Sequence, residues 1–98
     1  YDRAIEDFDM VVRLNPGDYM AYHQRGRAYG QLGRYPNELA DYDQAIRLKP
    51  DYKAAYSDRA AVYFRQNDKT AGCRDAKKAC ELGACEMLEK VKSKGACH

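Results

Sequence analysis

Apolar residues recur every three or four positions along this chain, in blocks parted by short polar stretches that hold proline or glycine. In 36–48, Leu39, Tyr42, Ala45, Ile46 and Leu48 form a stripe among polar residues. In 19–32, Met20, Ala21, Ala28 and Leu32 do the same, with Tyr22 and Tyr29 seven apart. This is the period of an amphipathic helix, and no strand-like alternation competes with it. The pattern predicts helices at about 2–14, 19–32, 36–48, 53–66, 69–82 and 84–94. The punctuation agrees. Asp18 and Asp51 stand near helix starts, and Pro36 suits a first helical position. Gly33 in "QLGRYP" can supply a left-handed cap, and Pro16 and Pro50 close the helices before them.

The blocks also repeat. "YDRAIEDFDMVVRLNP" (1–16) lies over "YPNELADYDQAIRLKP" (35–50) with a shift of 34 residues, and "AYHQRGRAY" (21–29) lies over "AYSDRAAVY" (55–63) with the same shift. A complete unit runs from about 19 to 52. A fixed period of this length marks a stack of helix pairs, because one pair cannot bury its apolar face alone. The chain then opens on the second half of a unit. That implies either a longer parent protein or a partner, or second copy, that supplies the missing surface. Ile5, Phe8, Val11, Val12 and Leu14 on the first helix need something to pack against.

The residues Tyr22, Gly26, Tyr29, Tyr42, Ala45 and Pro50, with Tyr56, Ala60 and Tyr63 one unit later, resemble the tetratricopeptide repeat family over about residues 1–82. The resemblance implies an all-α fold: antiparallel helix pairs stacked as a right-handed superhelical solenoid, closed by a C-terminal capping helix. The expected organisation is one domain over 1–98: half a repeat in 1–18, a complete repeat in 19–52, a degenerate repeat in 53–82, and a cap and tail in 83–98. The departures from the family pattern are specific. Arg25 and Arg59 stand where the family commonly has Leu. Glu38 stands where it wants a small residue. Gly72 and Ala76 replace an alanine and an aromatic, and no proline closes that unit.

By the same resemblance, the first helix of each pair lines a concave face. The residues expected there are Met20, His23, Gln24, Arg27, Gly30 and Gln31, then Ala54, Ser57, Asp58, Ala61, Phe64 and Arg65. This is a polar groove with an apolar floor, suited to an extended peptide or a partner helix. Contact is expected to centre on Gln24, Arg27, Asp58 and Arg65, with Phe64 as the apolar contact. Each has a plainer reading. The arginines can be solvated charges, His23 a surface residue, and Phe64 a packing residue against the next helix. The Lys/Asn/Arg set with which some family members hold a terminal carboxylate is not reproduced, since Asp58 and Ala61 occupy its places. Capture of a C-terminal carboxylate is therefore not expected. The expected partner is another protein or peptide, with a homodimer through the N-terminal helix as the alternative.

Charge adds an exclusion. Seventeen basic against fifteen acidic residues give +2, too even to mark a nucleic-acid or anionic-membrane surface. No apolar run is long enough for membrane insertion as a span. No catalytic constellation emerges either: the only histidines are His23 and His98, and the glycines of "GRAYGQLG" lie on a helix and its turn. The expectation is no enzyme, no cofactor and no metal. Arg25 and Arg59 instead face a ladder of Asp7, Asp41 and Asp75 spaced by 34, which suggests ion pairs between neighbouring helices. Glu38 is expected to turn outward or to reach Arg34 or Arg25, so that Glu38→Ala would stabilise the fold.

All four cysteines, Cys73, Cys80, Cys85 and Cys97, lie in the last quarter. If Gly83 turns the chain between two antiparallel helices, nested bridges Cys80–Cys85 and Cys73–Cys97 would staple the hairpin, whereas Cys85–Cys97 would have to span about 18 Å of helix. "ACELGAC" is similar to the cysteine turn of the related Sel1-like repeats. Buried free thiols are a second reading. Structural zinc is a third, disfavoured by the absence of closely spaced Cys pairs. Bridged cysteines would imply a periplasmic or extracellular location, free ones the cytoplasm.

Overall fold

A computed structural model describes residues 2–95 and 97. Among these residues the chain is all α-helical, with six helices and no strand. It divides into two compact units, Tyr1–Pro50 and Asp51–His98.

The first unit holds α1 (Asp2–Leu14), α2 (Tyr19–Gln31) and α3 (Tyr35–Leu48). Asp18 caps α2, its carboxylate accepting from the Ala21 amide at 3.1 Å. Gly33, at φ +72°, turns the chain after α2, and Pro36 sits in the first turn of α3. α2 and α3 form an antiparallel pair that closes tightly because α2 carries glycines where α3 carries bulk. A Cβ on Gly26 would stand 2.8 Å from the Tyr42 ring, and one on Gly30 would stand 2.5 Å from the Glu38 carboxylate. Tyr42 and Ala45 are buried completely or nearly so.

The second unit holds α4 (Lys53–Arg65), α5 (Lys69–Glu81) and α6 (Glu86–Ser93). Asp68 caps α5 by accepting from the Ala71 amide at 3.2 Å. The N-cap of α4 is Tyr52, which makes no side-chain cap bond, and Asp51 stands one residue before it. α4 and α5 are again antiparallel, but the sizes are exchanged. Phe64 on α4 fills the space over Gly72 on α5, where a Cβ would meet the ring at 2.9 Å. Phe64 and Gly72 lie 34 residues after Gly30 and Glu38. The same inter-helix position is thus filled from opposite sides in the two pairs. Gly72 is less a sign of repeat decay than the counterpart of Phe64.

α6 starts at Glu86 rather than 84, because the turn at Gly83, φ +108°, continues through Ala84 to Cys85, the N-cap. Disulfides join Cys80 to Cys85 across this turn and Cys73 to Cys97 at the other end of the hairpin. Cys97 is buried in a cluster with Ala60, Ala76, Leu88 and Val91.

Glu38 does not turn outward. It is 3% exposed and accepts a 2.7 Å hydrogen bond from the Tyr42 hydroxyl. Glycine at position 30 makes the room that lets the carboxylate stay inside. The expected gain from Glu38→Ala therefore reverses: the substitution opens a void and removes an acceptor from Tyr42, at a cost of about 1–2 kcal/mol. Gly30→Ala alone should cost a similar ~1–3 kcal/mol through overpacking. Together the two should return stability to the parent level or above it, since alanine refills the void and favours helix by about 1 kcal/mol over glycine. Denaturant midpoints of the four proteins, read as a double-mutant cycle, test this, and additive effects would refute the interlock.

Candidate functional site

Two arginine clusters organise the helix pairs. Arg25 on α2 grips Asp41 on α3 through Nε and Nη2, at 2.9 and 2.7 Å, and reaches Asp9 on α1 through Nη1 at 2.9 Å. Its guanidinium also lies 5.5 Å from the Tyr22 ring centre and 6.0 Å from that of Tyr29. Arg59 on α4 repeats the grip on Asp75 of α5, at 2.7 and 2.9 Å, beside the Tyr56 ring. The aspartate ladder thus engages at Asp41 and Asp75. Asp7, at the same repeat position, is exposed, and the α1 carboxylate that Arg25 reaches is Asp9. The hydrogen bonds that Arg25 donates to Asp41 raise it above the ordinary guanidinium value, against the opposing effect of burial. Asp41 is itself pushed up, chiefly because burial penalises its carboxylate, with Arg25 opposing the rise and the nearby Asp9 charge adding to it. A pair in that balance fixes register more than it adds net stability.

The first unit has a shallow groove of about 230 Å³ between α1 and α2. Ala4, Phe8 and Ala28 form its floor, and Gln24, Arg27 and Gln31 its polar rim. Those three rim residues are exposed, as is Met20 at 55%. His23 departs from the expected groove and from the surface reading alike: it is 5% exposed, with its ring 5.7 Å from that of Tyr42. α2 is polar around most of its circumference, so its stripe alone did not say which face turns inward.

The second unit has a larger cleft of about 450 Å³, lined by Ser57 of α4, Gly83 to Cys85 of the turn, and Glu86, Met87 and Lys90 of α6. Of the residues expected on α4, Ser57 reaches this cleft. Asp58 and Ala61 are half-buried and Arg65 is exposed. Phe64 packs over Gly72 and against the Cys97 cluster instead of standing open to a ligand. The part played by α6 was missed. The sequence marks 83–98 only as a cap and tail, which does not say that its first turn lines a cleft. Among the described residues no three His, Cys, Asp or Glu side chains converge to hold a metal ion. His98 lies outside the described residues.

Residues 26–67 match the family model of the TPR repeat. No curated protein matches the sequence. Among solved structures, the first TPR of Spaghetti (RPAP3), bound to the HSP90 peptide SRMEEVD, superposes with a TM-score of 0.87 at 26% identity, covering 98% of this chain and 80% of that one. The crystal structure of MamA superposes with a TM-score of 0.78 at 24% identity, covering 92% of this chain and 49% of that one, and shares the fold. The chain spans about half the length of MamA. Residues 26–67 are thus similar to the TPR repeat, and the chain has the all-α fold of the TPR structure that it superposes on.

Proposed function

We propose that the chain binds a protein or peptide partner through its first helices, without catalysing a reaction. Gln24, Arg27 and Gln31 would make the contacts on α2, and Ser57, Asp58 and Arg65, each by its own helix face, those on α4. The observation that carries this reading is the α1–α2 groove, with its apolar floor and a rim of two amides and a guanidinium. Such a lining recognises a chain that offers an apolar side chain beside backbone or carboxylate acceptors. The RPAP3 repeat, held to an HSP90 peptide, shows what a related fold can do.

The test is selection from a random heptapeptide array, followed by titration of the best binder and of SRMEEVD. Arg27→Glu is expected to weaken the selected peptide at least fivefold, about 1 kcal/mol. SRMEEVD should bind no better than its C-terminal amide, because the residues for terminal-carboxylate capture are not reproduced. Amide shifts that cluster on the outer faces of α3 and α5 would refute the assignment.

Self-association is the second reading, favoured by exposed apolar residues on α1: Met10 at 51%, Val11 at 37% and Leu14 at 77%. A mass that is independent of concentration would exclude it.

A further inference from the structure

The two disulfides of the second unit differ in what surrounds them. Cys73–Cys97 ends in a buried residue: Cys97 is 4% exposed and lies inside the apolar cluster. Cys80 and Cys85 are both half-buried, but their settings are unlike. Cys80, in the last turn of α5, packs against that cluster. Cys85, the N-cap of α6, lines the cleft of about 450 Å³ beside α4 and α6. The bridge thus presents one cysteine to a cavity and keeps the other against the core.

The rest of the lining suits a small polar molecule. The volume falls in the range of small-ligand sites. Ala84 and Met87 are apolar, and Ser57 on α4 brings a hydroxyl. Glu86 and Lys90, about one turn apart on α6, bring one charge of each sign. Walls of both signs complement a zwitterion better than a simple anion or cation.

We propose that Cys85 is a thiolation site: a low-molecular-weight thiol that carries carboxylate and ammonium groups, of the glutathione class, enters this cleft and exchanges into the Cys80–Cys85 bridge. The site needs no peptide ligand, so it stands apart from the binding reading above.

The step balances without an oxidant or reductant from outside. The thiol gives its proton to water, and its thiolate attacks the Cys85 sulfur. A new S–S bond forms there as the Cys80–Cys85 bond breaks, and the electron pair leaves on the Cys80 sulfur. That sulfur takes a proton from water. As a neutral thiol, Cys80 stays against the cluster as a small apolar side chain. One disulfide is exchanged for another, and return attack by Cys80 on Cys85 expels the small thiol and restores the bridge. Access selects the sulfur, because an incoming thiolate reaches the one at the cavity. Loop length selects the bridge, because opening one over 5 residues releases less chain than opening one over 24. Lys90 holds a carboxylate of the bound thiol and Glu86 its ammonium.

The probe is reduced glutathione, added to the oxidised whole chain without oxygen. Samples are quenched with N-ethylmaleimide, weighed as intact protein and mapped by peptic digestion. The first product is expected to carry glutathione on Cys85 and maleimide on Cys80, with Cys73–Cys97 intact. This capped adduct cannot reclose. Its amide NMR spectrum should differ from that of the matching 2-mercaptoethanol adduct at Ser57, on the α4 wall. Lys90→Glu should lower the ratio of the glutathione rate to the 2-mercaptoethanol rate by about fivefold, the order of one ion pair at a cleft wall. Lys90 is exposed, so the variant should keep the parent's circular dichroism and Tm.

Glutathione on Cys80, Cys73 or Cys97 overturns the inference, as do equal rates at the two bridges or an unchanged ratio for Lys90→Glu. So does a Cys85 that is already a free thiol in the untreated protein. A bridge that stays closed to glutathione overturns it too, and opening by a protein dithiol in its place would make the turn an oxidoreductase substrate instead.

Discussion

Asp75→Ala is expected to destabilise the second unit by about 3 kcal/mol, the cost of leaving a desolvated guanidinium without its carboxylate. Arg59 and Asp75 retain only 17% and 3% of their side-chain exposure, and both hydrogen bonds of the fork are under 3 Å. The loss should appear as a fall in Tm on the order of 15 °C for a unit of this size. Arg59→Leu alone should be costly too, since it strands the Asp75 carboxylate. Arg59→Leu with Asp75→Ala should recover to within about 1 kcal/mol of the parent, because two apolar groups leave nothing charged behind. Leucine is also what related repeats commonly place there. The check is a thermal and denaturant cycle over the four proteins. A loss under about 0.5 kcal/mol for Asp75→Ala would mean that water already serves Arg59, and that the pair is incidental.

Helix boundaries were legible in the sequence wherever a residue with one conformational use marked them. Gly33, Pro36 and Asp18 do in the structure what their types require. Asp51 shows the limit: aspartate also serves in ordinary turns, and the N-cap of α4 falls one residue later, on Tyr52. The arginine–aspartate pairs were legible because charge repeated with the fold's own period. Glu38 was misread because position alone was considered. Burial depends on both sides of a contact, and Gly30, eight residues earlier, decides it. Phe64 and Gly72 carry the same lesson in reverse. Gln24, Arg27 and Gln31 lie exposed on α2 beside the α1–α2 groove, whereas His23 is buried, since a weakly amphipathic helix does not declare its inner face. The second cleft was hidden because a turn that continues to Cys85 places Met87 and Lys90 where spacing alone could not.

Loss of the Cys73–Cys97 bridge is expected to cost about 3 kcal/mol, more than loss of Cys80–Cys85, because the loop it closes is longer. The bridges span 24 and 5 residues of sequence, and the chain-entropy relation gives about 3 and about 2 kcal/mol respectively. Position widens the difference. Cys97 is 4% exposed and packs with Ala60, Ala76, Leu88 and Val91, so release of the tail also uncovers that cluster. α6 spans only eight residues, too few to hold as an isolated helix. Cys73→Ser with Cys97→Ser should therefore loosen α6 before the rest of the unit, and amide exchange should rise first at Leu88 and Val91. Cys80→Ser with Cys85→Ser frees only the turn, and should leave those amides nearly as protected as in the parent. The measurements are thiol counting on unreduced, denatured protein, then denaturant unfolding with and without a dithiol reductant. No free thiols and a clear reductant-dependent loss are expected. Four free thiols would show that the cysteines act as small apolar residues, and equal losses for the two double variants would show that the cluster around Cys97 holds without its bridge.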